Sequence, residues 1–316
     1  MGYRIRAVTM HHFGRFDERA MAPLAVFDGH SQGYVASSLI NRSTGSVHTG
    51  LSIDQLAPGG TIDPHVHSFE EGVYILSGEP ILTINSESYR LRQGDYAAIK
   101  VGTPHSWRAG DAPVRWLQMS APQPKPSGAE RDTFFLKDRS IASGVPRALS
   151  DVEGLDVNDR RGMLLGHFDA TQIPPPFDSA QGVPSDSRGA VGQRQHVAAG
   201  LEGVFLKWMI DEEFGARHHR LLFIEYQPGV GIGLHDHTFE EAYFILEGEV
   251  QATLDGTVYN LAPGDFVWTG VGCVHAFKNV GSVPVRWLET FAPQPPKENV
   301  FRFMAEWETK ARELEG

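Results

Sequence analysis

Thiols are nearly absent from this chain: among 316 residues only Cys273 carries one. That excludes an internal disulfide and fits a reducing compartment. No apolar run approaches the ~18 residues of a membrane-spanning helix. The opening stretch MGYRIRAVTMHHFGRFDERA lacks the apolar centre of a secretory signal, so a cytoplasmic location is expected. Positive charge is also short, with 28 Lys and Arg against 39 Asp and Glu and a formal net charge of −11. An acidic chain gains little from nucleic acid or an anionic membrane, both of which reward a basic face. A small molecule is the partner class that remains.

Turn residues are plentiful. The 34 glycines and 20 prolines point to many short elements, hence to an all-β body. Sliding the chain against itself shows why. At an offset of 170, residues 58 to 105 match residues 228 to 275 at 20 of 48 positions without a gap, and PVRWLQMSAPQPKP (113–126) then matches PVRWLETFAPQPPK (284–297). The chain holds two copies of one unit. Each copy reads as strands of four to eight residues split by turns, and Asp255-Gly256 is a hairpin signal because a tight primed turn requires positive φ. Residues 1–126 are expected to form one barrel with an N-terminal arm, 127–205 a linker and loop, and 206–316 a second barrel ending in a short helix.

Both copies carry H-x-H-x-x-x-E, as His65, His67 and Glu71 and as His235, His237 and Glu241; His105 and His275 follow at matching offsets. Residues two apart on a strand share a face, so each histidine pair projects to one side. A surface H-x-H on an edge strand would explain one copy, but not all four residue types repeated in register. Three imidazoles and a carboxylate suit Fe, Mn, Co, Ni, Cu or Zn and leave two positions open on an octahedral ion. A closed structural zinc site would draw on cysteines that this chain lacks.

These residues resemble the cupin superfamily, and the duplication resembles a bicupin. The first family motif is met by Gly59, His65, His67, Glu71 and Gly78, and again by Gly229, His235, His237, Glu241 and Gly248. The second is met by Gly264, Gly272, His275 and Asn279, with Gly270 where proline is usual. In the first copy Gly94, Gly102 and His105 match, while Lys100 and Ala109 depart without removing a ligand. The resemblance implies two tandem jelly-roll barrels (double-stranded β-helices). It also implies one divalent metal per barrel, commonly Fe(II) or Mn(II), and a homo-oligomer, dimeric or larger. It further suggests a dioxygenase-type oxidoreductase acting on a small polar organic substrate. The alternatives are a non-oxidative hydrolase or lyase, such as an aminohydrolase or decarboxylase, and a binding or storage bicupin.

Further candidates lie outside the eight ligands. Glu225, if it faces inward, would act as a general base beside a metal-bound water; a solvent-facing Glu225 is the competing reading. In ARHHR (216–220), His218 and His219 point to opposite sides, and Arg217 or Arg220 is a candidate to pair a substrate carboxylate. Glu70 and Glu240 alternate with the ligand glutamates and read as outward carboxylates. Trp268 and Phe277 read as barrel lining, Cys273 as buried packing, and Gly270 as a residue that opens space in the second pocket; His11 and His12 read as surface residues of an arm, which by resemblance to bicupins packs against the other barrel.

Overall fold

The computed structural model describes residues 10–126, 131–138, 145–149, 164–173, 203–295 and 301–315. The stretches QIPPPFD and GVPSDSRGAVGQ, read above as loop, lie almost wholly outside them. Two barrels repeat one strand plan. In the C-terminal barrel the back sheet runs His11–Arg15, Asp265–Thr269, Glu240–Glu247, Val285–Ala292, Arg220–Tyr226 and Val204–Ile210; the front sheet runs Thr257–Leu261, Val250–Leu254, His275–Lys278, Gly231–His237 and Phe301–Phe303. In the N-terminal barrel the same two layers are joined into one eleven-stranded sheet, because the 18-residue strand Gly50–His67 passes through both.

Alternation along these strands sorts the side chains into three cores. Leu56, Val73, Ile75, Leu82, Trp107 and Trp116 fill the N-terminal barrel, and Leu222, Ile224, Tyr243, Ile245, Phe277 and Trp287 fill the C-terminal one. Residues of opposite parity, among them Ile53, Leu117, Met119, Leu221, Phe223 and Leu288, form a third core in which the back sheets pack against each other. Each such fully buried aliphatic side chain contributes roughly 1.5–3 kcal/mol. The face of each back sheet turned away from its barrel's interior is therefore dry, not solvated.

Strand pairing crosses the expected segments at two places. The arm strand His11–Arg15 adds to the far barrel, pairing His11 with Thr269 and Arg15 with Asp265, where Arg15 Nε donates to Asp265 Oδ1 at 2.6 Å. Parts of the expected linker belong to the N-terminal barrel. Thr133–Phe135 pairs with His65–His67, Arg147–Ala148 with Tyr89–Arg90, and Leu165–His167 with Asp95–Ala97. The C-terminal helix is present as Met304–Glu315. The repeated APQP segments leave each barrel through cis bonds at Ala121–Pro122 and Ala292–Pro293. Their glutamines tie down the neighbouring loop, Gln123 Nε2 donating to Ser46 O and Gln294 Nε2 to His219 O.

Candidate metal centres

Pairing across the strands brings each four-residue set together. His65 faces His105, and His235 faces His275 across the front sheets. In each barrel the ring nitrogens of the three histidines lie within 4.8 Å of one another, and all six rings are buried. Glu71 stands 3.3 Å from His67 Nε2 and 3.2 Å from His105 Nε2; Glu241 stands 2.7 Å from His237 Nε2 and 3.1 Å from His275 Nε2.

The other ring nitrogen is spoken for in every case. Nδ1 of His65, His105, His235, His237 and His275 faces the backbone carbonyl of Asp63, Thr103, Gly233, Phe239 and Cys273 at 2.7–3.0 Å. A carbonyl only accepts, so each Nδ1 carries the proton and donates. His67 Nδ1 donates to Thr133 Oγ1 at 2.9 Å, and that hydroxyl passes its own proton toward Asp132. Six fixed tautomers leave six Nε2 lone pairs aimed at two points, the arrangement that outer partners impose on metal-binding imidazoles. Nε2 of His105 is buried and makes no hydrogen bond of proper geometry, a cost that a cation would remove. The donor set fits a divalent transition metal in each barrel.

Electrostatics agree with that fit at three of the six rings, while at His275 burial is outweighed by the hydrogen bond and charge of Glu241, which raise the imidazole. Burial pushes the His65 imidazole well below its ordinary value, that of His67 down to about 4 and that of His235 to about 3, so these rings are neutral near pH 7 and able to ligate. Burial alone would raise the glutamates. Instead His67 and His105 hold Glu71 below its usual range, and His237 and His275 hold Glu241 well below it.

The surroundings of the two glutamates differ. Gln118 Nε2 donates to Glu71 at 2.7 Å. The aligned residue in the second barrel is Glu289, buried on the inner face and receiving only the Trp287 indole N–H at 3.0 Å. Burial and the nearby charge of Glu241 push Glu289 well above the usual carboxylate range. The phenol of Tyr243 donates to Glu241 and lies 3.3 Å from His275 Nε2; its counterpart is Val73. The N-terminal barrel has its own buried acid. Asp54 is raised to about 7 by burial and accepts from Tyr34 and Ser52 at 2.5 Å each. No signal in a single strand pattern announced Gln118, Glu289, Tyr243, Asp54 or Thr133; aligning the two copies residue by residue and comparing inner-face positions would have found the first three.

Several expected residues sit elsewhere. Glu225 has the parity of Leu221 and Phe223, so it faces away from the barrel interior and pairs with Arg286 at 2.7 Å; it reaches no metal centre. Arg220 shares the inner face and the strand row of Phe291 and Glu241, with Nε donating to Gln294 Oε1 at 2.7 Å and the guanidinium over Trp208. His219 is buried against Glu70 at 2.8 Å, in the space that Gly72 leaves open, and His218 is exposed; neither enters a pocket. Phe277 lines the barrel, whereas Trp268 lies in the core between barrels. Gly270 opens no pocket, because a Cβ there would meet the Trp268 ring at 2.9 Å.

Glu70 and Glu240 do point outward, but into the other barrel. Glu240 accepts from the backbone N–H groups of Val47, His48 and Thr49 and from Ser46 Oγ, at 2.7–3.1 Å. Glu70 accepts from the N–H groups of Arg217 and His218, at 2.8–3.1 Å. The residue beside each candidate ligand glutamate thus grips the equivalent loop of the opposite barrel.

Comparison with known proteins gives this geometry a context. A family profile described as a cupin domain matches twice, at residues 52–120 and 222–291. The chain is 25% identical over 268 residues to quercetin 2,3-dioxygenase of Bacillus subtilis, covering 77% of this chain and 73% of that protein. Among solved structures it is similar in fold to a variant of the Bacillus subtilis oxalate decarboxylase (TM-score 0.62, 18% identity, 96% of this chain and 83% of that one). A second similar fold is the Lactobacillus farciminis oxalate decarboxylase in a formate complex (TM-score 0.59, 18% identity, 94% and 90%). No helix among the described residues is long and apolar enough to cross a membrane.

Proposed function

Two cupin domains in tandem make this chain a bicupin, and from that premise we propose that it is a metal-dependent enzyme, a dioxygenase-type oxidoreductase acting on a small, polar, chelating organic substrate. The observation that carries the reading is the pair of convergent Nε2 sets, each with a glutamate, in a chain similar over most of its length to a quercetin dioxygenase. His65, His67, His105 and Glu71 would hold one divalent ion and His235, His237, His275 and Glu241 the other, Fe(II) or Mn(II) by the family's habit. When bound, such an ion supplies open coordination positions at which a bidentate substrate and dioxygen meet.

The chain's own residues do the rest. The fixed tautomers of the six histidines orient the donors before any ion arrives, and the buried aromatic lining excludes bulk water. We assign the reaction to the C-terminal centre, where the Tyr243 phenol and the Glu289 carboxyl surround the glutamate, whereas Glu71 takes the Gln118 amide and the acid of that barrel, Asp54, is engaged by Tyr34 and Ser52. Glu289 stands one row below Glu241 with its proton affinity raised by burial and by the Glu241 charge, and Tyr243 shares the same inner face. Gln118, at the corresponding place in the N-terminal centre, can orient Glu71 but has no proton to give. The same pair of groups would serve a non-oxidative lyase, which is the second reading.

An oxygen electrode separates the two. Protein loaded with Fe(II) or Mn(II) is expected to consume O₂ only when a chelating catechol, enediol or flavonol is added, and Glu241→Ala is expected to stop it. Conversion of substrate under argon at an unchanged rate would overturn the dioxygenase reading in favour of the lyase or hydrolase.

A further inference from the structure

Outside the two centres, three side chains from distant parts of the chain converge at one end of the C-terminal barrel. His11 comes from the arm strand, Asp255 from the tip of the hairpin between Val250–Leu254 and Thr257–Leu261, and Cys273 from the turn before His275–Lys278. Their donor atoms all lie within 4.8 Å of one another, with His11 Nδ1 3.1 Å from Asp255 Oδ2. Cys273 is fully buried, and the His11 side chain is 7% exposed. We propose that these three residues form a third metal site, for a borderline-soft divalent cation such as zinc, which pins the N-terminal arm to the C-terminal barrel.

The donors are oriented in advance. His11 Nε2 lies 3.0 Å from the Tyr259 hydroxyl, which fixes the ring with Nδ1 toward the site. Asp255 Oδ1 takes the Val274 N–H at 3.1 Å, leaving Oδ2 turned to His11. Partners of this kind set ring orientation in metal sites. One sulfur, one nitrogen and one oxygen donor match the tetrahedral preferences of zinc, with a fourth position for water on the partly exposed side of Asp255. On binding, the Cys273 S–H bond breaks, a sulfur–metal bond forms, and the proton leaves to solvent. Thiolate and carboxylate then balance the dication, so a neutral unit occupies a mostly buried place.

Duplication did not generate this set. At the offset of 170 the positions of Asp255 and Cys273 are Asn85 and Thr103. Among the described residues no strand of the N-terminal barrel pairs with Ile99 as His11 pairs with Thr269. The three donors are a property of the C-terminal barrel and its borrowed arm.

The chain's single cysteine makes the test selective. Metal-depleted full-length protein is titrated with Co(II), and the near-ultraviolet thiolate-to-cobalt charge-transfer absorption is followed. The two histidine–glutamate centres contain no sulfur and are silent in that band. The band is expected to appear at micromolar cobalt, to saturate within three equivalents per chain as the two silent centres take up the rest, and to be displaced by zinc. Cys273→Ser should abolish it. His11→Ala and Asp255→Asn, which alter partly exposed or hairpin positions rather than the core, should each weaken cobalt binding at least tenfold while leaving the melting curve of the metal-free protein cooperative. Absence of the band at micromolar cobalt would overturn the proposal, as would a band of unchanged affinity in both His11→Ala and Asp255→Asn.

Discussion

The two barrels differ least at the eight candidate ligands and most one residue deeper. Val73 aligns with Tyr243, Gln118 with Glu289, and Asp54 with Ile224. Around Glu71 the closest neighbour is an amide that can only orient it; around Glu241 there are a phenol and a second buried carboxyl of raised proton affinity. One scaffold therefore presents the same donor geometry in two proton environments. Ligand identity alone could not have ranked the two centres, whereas the residues behind the ligands can.

The largest break in the equivalence is expected from the ligands. His235→Ala should lower turnover at least a thousandfold, because it empties the C-terminal centre. His65→Ala should cost no more than about tenfold, acting through stability and not chemistry. Equal losses from the two substitutions, read as kcat at saturating substrate and metal, would mean that both centres react.

Next in size is the reciprocal grip between barrels. Breaking a buried, charge-assisted network costs about 3–5 kcal/mol, so Glu240→Ala, which strands four donors of residues 46–49, should lower the urea midpoint markedly. Glu70→Ala removes two backbone bonds and the His219 contact and should cost less, about 1.5–3 kcal/mol. Because each glutamate adjoins a candidate ligand, either change should also weaken the metal held next to it. A neutral result in urea would contradict the interface as described.

A smaller effect is expected from the phenol. Tyr243→Phe keeps the ring and removes one bond to Glu241; loss of such an outer partner typically costs 10–100-fold in metal affinity or activity. Gln118→Leu in the other barrel should lower metal affinity at the N-terminal centre and leave turnover nearly unchanged.

The last expected difference is a pH slope. Asp54 holds its proton in the folded state up to about 7, while in the unfolded chain it loses it near 3.9. A raised folded value means stability that is fully present below the unfolded value and lost as pH climbs toward 7. Asp54→Asn retains the shape without the titration, so its stability relative to the parent should grow across pH 4 to 7 by on the order of 1 kcal/mol per pH unit and then level off. A flat difference across that range would remove Asp54 as a titrating group.

Much of this was legible in the chain itself. Period-2 alternation and the offset of 170 were enough to assemble His65, His67, Glu71 and His105 with their second-copy equivalents, because those contacts stay within one repeating unit. Alternation also told that Glu70 and Glu240 turn away from the barrel interior. It could not tell that the outward side is another protein surface, since the partners Ser46 and Thr49 lie more than 190 residues from Glu240. Glu225 shows the same limit, its parity becoming known only when Leu221 and Phe223 are seen to line the core between barrels. The resemblance placed the arm of His11 against the other barrel, but a five-residue strand with two histidines carries no signal of the register that sets His11 beside Thr269 and Asp255.

The central claim is that each barrel holds one divalent ion through three imidazoles and one glutamate. The most direct test is the metal content of the Cys273→Ser protein, in which the sulfur site is silenced, set beside Glu71→Ala and Glu241→Ala made in that background. The account predicts close to two Fe or Mn per chain, falling to about one in each glutamate variant, with the remaining ion located by its sensitivity to His235→Ala or His65→Ala. Little bound metal after reconstitution, or a content that neither glutamate substitution changes, would contradict it.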